Sequence, residues 1–128
     1  MFARRRTVFF GSSLPADTLV AVAEGTLVGY VSLTHPTPLP ENAHVTAVEG
    51  FTVAPMWRGR GVGRALLAAA VDEARRRGSR KVSLRVLATN KRARQVYAAA
   101  GFGVEGVLRD EFVIDGHHVD DVLMAMAL

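Results

Sequence analysis

The fold of this chain is indicated by one stretch, Val53-Ala54-Pro55-Met56-Trp57-Arg58-Gly59-Arg60-Gly61-Val62-Gly63-Arg64. It follows an apolar, β-branched segment, carries three glycines at alternate positions and leads into a segment with helical periodicity. Glycine tolerates positive φ and lets the backbone approach a ligand closely. Successive N–H groups at a helix N-terminus attract anions, and the arginines add full positive charges. The stretch therefore predicts an anion-binding turn between a strand and a helix.

Two common phosphate-binding loops do not fit this glycine spacing. A Walker loop ends in Gly-Lys-Ser or Gly-Lys-Thr, whereas Gly63 is followed here by Arg64 and Ala65. A dinucleotide-binding fingerprint needs a third glycine three positions after Gly61, where this chain has Arg64. Neither of these two nucleotide sites is predicted.

The residues around the loop predict a mixed α/β sheet with crossover helices, because strands and helices alternate along the chain. Apolar residues at helical spacing predict a helix that starts at Val62 and stops at Gly78. Asn90 is the predicted N-cap of a second helix, and Gly101 follows its end. The other predicted elements are a hairpin at 18–34 that turns at 24–25, and strands at 45–53, 81–87, 102–108, 111–114 and 119–127.

A second motif lies in the second predicted helix: Asn90-x-x-Ala93-x-x-x-Tyr97-x-x-x-Gly101-Phe102. Together with Arg58-x-x-Gly61-x-Gly63 it resembles, in order and spacing, the coenzyme A-binding blocks of the GNAT superfamily of acetyl-CoA-dependent N-acetyltransferases. The resemblance covers roughly residues 18–128. It implies a mixed, mostly antiparallel sheet that is splayed between its fourth and fifth strands.

The resemblance also implies roles for individual residues. Tyr97 matches the phenol that protonates the departing thiolate, and the N–H of Val53 is the expected oxyanion donor. Glu49, on the strand leading into the loop, is the candidate general base, with loss of the proton through water as the alternative. The implied coenzyme contacts are Phe51, Thr52 and Val53 to the pantetheine arm, Arg58, Gly59, Arg60, Gly61, Val62, Gly63 and Arg64 around the pyrophosphate, and Asn90 beyond the splay.

The implied function is transfer of the acetyl group of acetyl-CoA to a primary amine, by direct attack in a ternary complex. The acceptor stays open between a small amine, an amino acid and a protein amine. In one group of relatives, the ribosomal-protein N-terminal acetyltransferases, a glutamate stands where this chain has Arg85. The alternative function is a non-catalytic module that binds coenzyme A or nucleic acid through residues 58–94. The absence of any aromatic residue in that segment disfavours nucleic acid.

Charge is unevenly distributed along the chain. The net charge is +4, but residues 58–94 hold twelve of the sixteen Lys and Arg and only two acids, which leaves −6 for the rest. A basic centre suits a phosphorylated cofactor. Residues 105–128 hold six acids against Arg109, and they predict either an acceptor side that attracts cationic amines or ordinary surface charge.

Length and composition predict one domain over residues 1–128, and 49% of the residues are hydrophobic. The chain has no cysteine, which excludes a thiol nucleophile and is compatible with the cytoplasmic location that we expect. No apolar run is long enough to predict a membrane span, and His117 and His118 are not spaced as metal ligands.

The segment before the first hairpin is short. Residues 6–10 are the predicted first strand, and 11–17 are too few and too irregular for the N-terminal helices usual in the superfamily. These helices are therefore predicted to be reduced or absent. The acceptor site is then open, or it is closed by a second subunit in a homodimer.

Overall fold

A computed structural model describes the backbone of residues 2–8 and 17–128 and the side chains of residues 18–128. Strands and helices alternate in the predicted order, and short 3₁₀ turns lie at Pro40–Asn42 and Pro55–Trp57. The elements are β1 (Phe2–Val8), β2 (Asp17–Ala23), β3 (Thr26–Thr34), β4 (Val45–Val53), α1 (Val62–Arg76), β5 (Lys81–Leu87), α2 (Lys91–Ala99), β6 (Gly103–Ile114) and β7 (His117–Ala127).

The strands form one sheet in the order β1-β2-β3-β4-β5-β7-β6. Every neighbouring pair is antiparallel except β4 and β5, which run parallel. These two strands pair only where residues 45–47 lie beside residues 81–83, and both strands continue beyond that point without pairing to each other. The predicted mixed, mostly antiparallel sheet with a splay between its fourth and fifth strands is thereby confirmed.

Both helices pack on the same face of the sheet, because α1 and the Tyr97 ring of α2 share one apolar cluster with β5 and β7. The first half of α1 covers β2 and β3 in a second cluster, which includes Val62 and Leu66. Val48 and Phe51 of β4 contact both clusters. Strand β4 is therefore the border at which the two halves of the core meet, and the splay opens beside it.

Most element boundaries agree with the sequence predictions, and two differ. The strands predicted at 102–108 and 111–114 are one strand, β6, whose pairing with β7 is interrupted between Leu108 and Phe112. Asp110 has a φ of 52°, and its N–H donates to Oδ1 of Asp120 at 2.9 Å, so the chain bulges there without ending the strand. The first strand starts at Phe2 rather than at residue 6. The prediction for residues 11–17 lies outside the described residues except at Asp17.

Gly29 of β3 lets α1 sit close to the sheet. A Cβ atom at this position would lie 2.9 Å from the Thr52 carbonyl oxygen and 3.0 Å from Cδ1 of Leu66. Both distances are shorter than ordinary van der Waals contacts, so any side chain would push the first turns of α1 away from β4. This glycine therefore fixes how the loop before α1 is placed against the sheet.

We expect Gly29→Ala to lower the free energy of unfolding by about 1–3 kcal/mol, because the added methyl group overpacks this contact. Urea denaturation followed by circular dichroism measures the change. The matched control is Gly103→Ala in β6, where an added Cβ would meet no atom within 4 Å. Equal midpoints for the two variants would contradict the close-packing role of Gly29.

Candidate active site

The splay opens a cleft of about 530 Å³ between β4, the loop before α1, and α2. Most residues predicted for the coenzyme line it, namely Phe51, Thr52, Val53, Arg58, Gly59, Gly61, Gly63, Arg64 and Asn90. Two predicted residues do not line the cleft. Val62 is buried in the core under α1, and the Arg60 guanidinium lies over the Trp57 ring, 4.9 Å from its centroid. Arg60 thus anchors the loop through a cation–π contact.

The β4 wall offers backbone groups to the cleft at alternate residues. The N–H of Ala54 donates to the Val28 carbonyl at 2.8 Å, so Ala54 faces β3. Because backbone groups alternate sides along a strand, Val53 and Phe51 turn their peptide groups away from β3 and into the splay, while Thr52 faces β3. Beside the cleft β4 has no pairing strand on this side. The N–H groups of Phe51 and Val53 and the carbonyl of Phe51 are therefore available to a ligand, whereas the Val53 carbonyl accepts from Nε of Arg58.

The loop adds a cradle of N–H groups at the start of α1. Gly59 and Gly61 have φ values of 76° and 86°, and the first helical hydrogen bond runs from the N–H of Ala65 to the Gly61 carbonyl at 3.0 Å. The N–H groups of residues 62–64 have no carbonyl of a preceding turn to bind. No acidic side chain occupies the first turn of α1. This end of the helix is suited to an anionic ligand.

Side chains add positive charge around the loop. The Nε of Arg58 donates to the Val53 carbonyl at 3.3 Å, which ties the loop to the end of β4. Arg64, in the first turn of α1, lines the cleft and is exposed. Gly63 completes the close packing, because a Cβ there would lie 3.2 Å from Cζ of Phe51.

The α2 wall contains residues that the sequence analysis missed. Asn90 caps the helix, since its Oδ1 accepts from the N–H of Ala93 at 3.1 Å, and its side-chain NH₂ has no partner among the described residues. Along the same helix face, the cleft is lined by Arg92, Ala93, Val96 and Ala99. Helical spacing from Asn90 would have found Ala93, Val96 and Ala99, but not Arg92.

Tyr97 lies behind this wall and not among the residues that line the cleft. Its ring packs between Phe51 and Phe102, at centroid distances of 5.8 and 6.3 Å. Burial raises the pKa of the Tyr97 phenol above its usual value. Within the described side chains, the hydroxyl makes no hydrogen bond, yet no buried polar side-chain atom lacks a partner there. The hydroxyl therefore lies at the edge of the core in contact with solvent, protonated and able to donate.

Glu49 sits at an irregularity of β4. Ser32 pairs with Gly50 and Leu33 with Val48, so Glu49 is the extra residue of a β-bulge. Its side chain is exposed and does not line the cleft. The bulge shifts the strand by one residue just before Phe51 and Val53, so it helps to aim their peptide groups into the splay.

The charge asymmetry of the sequence is partly neutralised in the fold. Lys81 Nζ lies 2.8 Å from Glu105, and Arg85 contacts Asp121 at 2.5 Å and Glu111 at 3.6 Å. Three of the acids from 105–128 are thus bound by basic residues of β5. These ion pairs favour a structural role for those acids over an acceptor-attracting surface.

Two further classes of site were tested on the described residues. Among them, no three His, Asp or Glu side chains are grouped so that they could bind a metal ion. Neither described helix combines the length and the apolar character needed to cross a membrane.

Comparison with known proteins gives consistent matches. The acetyltransferase (GNAT) family model matches residues 4–102. Streptothricin acetyltransferase of Streptomyces lavendulae is 34% identical over 112 residues, which make up 84% of this chain and 57% of that protein. The chain therefore spans little more than half of that relative's length.

Solved structures match over most of the chain. A ribosomal-protein-alanine N-acetyltransferase from Brucella melitensis has a TM-score of 0.80 at 31% identity, covering 88% of this chain and 69% of that one. An acetyltransferase from Salmonella typhimurium, solved with its cofactor acetyl-CoA, has a TM-score of 0.81 at 26% identity, covering 88% and 65%. The fold thus has counterparts of known structure, one of which was solved with acetyl-CoA.

We expect the pKa of the Tyr97 phenol to lie above that of a solvent-exposed tyrosine, because burial disfavours the phenolate. Its folded pKa exceeds its unfolded pKa, so its contribution to stability is complete below the unfolded pKa and is lost as pH rises through the folded pKa. The measurement is an ultraviolet difference titration of wild type against Tyr97→Phe, with circular dichroism as the control for folding. A phenol that titrates at or below its usual pKa would contradict the buried placement.

Proposed function

The chain belongs to the GNAT acetyltransferase family, and from this premise we propose that it is an acyltransferase that transfers the acetyl group of acetyl-CoA to a primary amine in a ternary complex. The observation that carries the proposal is the splay cleft. It brings the free peptide groups of β4, the N–H cradle before α1 and the side-chain amide of Asn90 to one ligand-sized space. An extended amide chain that ends in a diphosphate fits this order of groups.

The β4 wall suits the amide-containing arm of acetyl-CoA. Phe51 offers an N–H donor and a carbonyl acceptor to this arm, as a strand offers them to its neighbour, and the N–H of Val53 is left for the thioester carbonyl. The loop from Gly59 to Arg64 suits the diphosphate, since its N–H groups and the positive end of α1 point to one place. Asn90 supplies a further donor from the opposite wall.

The chemistry then proceeds by direct attack. The neutral amine approaches from the sheet face opposite α1 and forms a bond to the thioester carbon, while electron density moves to the carbonyl oxygen. The N–H of Val53 stabilises this oxyanion, and one such donor contributes about 3–4 kcal/mol in comparable sites. As the carbon–sulfur bond breaks, the hydroxyl of Tyr97 gives its proton to the departing sulfur. The attacking nitrogen releases one proton to water as the amide forms, and the Tyr97 phenolate regains a proton from solvent.

Removal of a proton from the acceptor ammonium is assigned to Glu49, which is exposed on the bulge before the cleft. The absence of cysteine from the chain supports direct transfer, because no thiol can hold the acetyl group between the two substrates.

The direct test mixes the protein with acetyl-CoA and candidate amines and follows release of free thiol by a colorimetric thiol reagent. The chain has no cysteine of its own, so all colour reports coenzyme A. The first acceptors to test are streptothricin and a peptide that begins with alanine, because the similar proteins are named for acetylating these compounds.

A thermal-shift comparison separates coenzyme binding from the nucleic-acid-binding alternative, and the thiol-release assay separates the enzyme from a non-catalytic coenzyme-binding module. Acetyl-CoA at about 100 times its Kd is expected to stabilise the fold by about 2.7 kcal/mol. A shift with an oligonucleotide and none with acetyl-CoA would overturn the proposal.

We expect Tyr97→Phe to lower kcat by about a hundredfold, because sulfur then leaves without a positioned acid. The Kd for coenzyme A is expected to stay within about twofold, since the ring contacts with Phe51 and Phe102 are preserved. Steady-state kinetics and calorimetry measure the two quantities. An unchanged kcat would remove Tyr97 from the mechanism without removing the proposed reaction.

We expect Glu49→Gln to lower kcat/KM about tenfold or more near pH 7 and less at higher pH, where the amine loses its proton to water unaided. The matched control is Glu41→Gln, a change of equal charge at an exposed residue of the turn Pro40–Asn42. Equal pH profiles for the two variants would show that water alone deprotonates the amine.

A further inference from the structure

Arg92 lies across the cleft from the anion-binding loop. It belongs to the first turn of α2 and lines the cleft, whereas the loop lies on the opposite wall. Its Nη2 atom is 3.9 Å from the position that a Cβ of Gly59 would occupy. The guanidinium therefore reaches over the turn of the loop, and the missing side chain of Gly59 leaves the space for it.

The three basic residues at the start of α2 differ in their surroundings. Arg94 donates from Nη1 to the Ala88 carbonyl at 3.1 Å, so it is held by the backbone. Lys91 is exposed and does not line the cleft. Among the described side chains, Arg92 has neither a hydrogen bond nor an ion pair. Of the three, Arg92 is therefore the residue that lines the cleft and has no hydrogen-bond or ion-pair partner among the described side chains.

Two further arginines, Arg58 and Arg64, line the same space from the side of the loop. Arg64 lines the cleft from the start of α1 and is likewise without a partner in the described part of the chain, while Arg58 is bonded to the Val53 carbonyl. In contrast, basic residues farther from the cleft, such as Lys81 and Arg85, are paired with acids. Each wall of this cleft therefore carries one arginine, Arg64 or Arg92, that has no acidic partner among the described side chains.

We propose that Arg92 is a specificity-determining residue that binds the diphosphate of the coenzyme from the wall opposite Gly59. The inference rests on the proposed function, because it needs coenzyme A to occupy the cleft. A guanidinium can bind two phosphate oxygens with parallel N–H donors, which gives direction as well as charge. The diphosphate is then held between the N–H cradle of the loop and Arg92.

This placement has a defined kinetic signature. The diphosphate is distant from the reacting thioester and is unchanged by the reaction, so Arg92 binds the ground state and the transition state equally. Its loss is expected to raise KM for acetyl-CoA and Kd for coenzyme A about tenfold each, with kcat within about twofold.

The test compares Arg92→Ala with Lys91→Ala, which removes one positive charge from the neighbouring exposed position. Calorimetric titration with coenzyme A is expected to give about tenfold weaker binding for Arg92→Ala and less than twofold weaker binding for Lys91→Ala. The weakening is expected to persist with dephospho-coenzyme A, which lacks only the 3′-phosphate. With S-acetylpantetheine, which lacks the diphosphate, kcat/KM is expected to be equal for wild type and Arg92→Ala.

Each contrary result overturns the assignment. Equal weakening in both variants would mean that only net charge matters. Loss of the effect with dephospho-coenzyme A would assign Arg92 to the 3′-phosphate, and an effect that remains with S-acetylpantetheine would make its role structural. If wild type itself fails to bind coenzyme A, the result contradicts the proposed function, and with it this inference. If wild type binds and Arg92→Ala binds equally well, only this inference falls.

Discussion

The structure depends on the point at which β4 and β5 stop pairing. Three residues of each strand run side by side, and beyond Ala47 and Ser83 the strands separate. A sheet that paired fully here would use the peptide groups of Phe51 and Val53 internally and would leave no space beside α2. The separation is maintained by the contents of the core, since Phe51 packs into both apolar clusters and against Tyr97. The cleft is thus a consequence of how the two halves of the core meet at β4.

The ion pairs of the described residues lie away from the cleft. Lys81 and Arg85 of β5 bind acids from β6 and β7, and Glu73 binds Arg76 and Arg77 at the end of α1. The pKa of Glu73 is lowered by these hydrogen bonds and charges, although its burial acts in the opposite direction. Among the described side chains, Arg64 and Arg92 line the cleft and make no ion pair. An anionic ligand in the cleft can therefore bind arginines that have no acidic partner in the fold. A count of basic residues along the sequence could not show which of them are unpaired.

Much of the fold could be predicted from the sequence, because the decisive signals are local. Glycine spacing from Gly59 to Gly63 and the cap at Asn90 are properties of a few neighbouring residues, and both were confirmed as the starts of helices. The roles of Tyr97 and Glu49 stay predictions. What could not be predicted depends on distant contacts: the bulge at Asp110 needs the carboxylate of Asp120, and the approach of Arg92 to Gly59 needs the angle between α2 and the loop.

The part of β4 after Ala47 is an unpaired strand edge on the side of β5. An unpaired edge normally lies at the rim of a sheet, where charged side chains or a bulge discourage pairing with other chains. Here the edge is internal, because it lies between β4 and β5 where the two strands have stopped pairing. Glu49 provides a charge, and a bulge in the pairing of β4 with β3, near the point where the unpaired edge begins. An occupant with amide groups supplies the hydrogen bonds that a neighbouring strand would supply. A molecule of this kind would complete the sheet at the place where its own strands stop pairing.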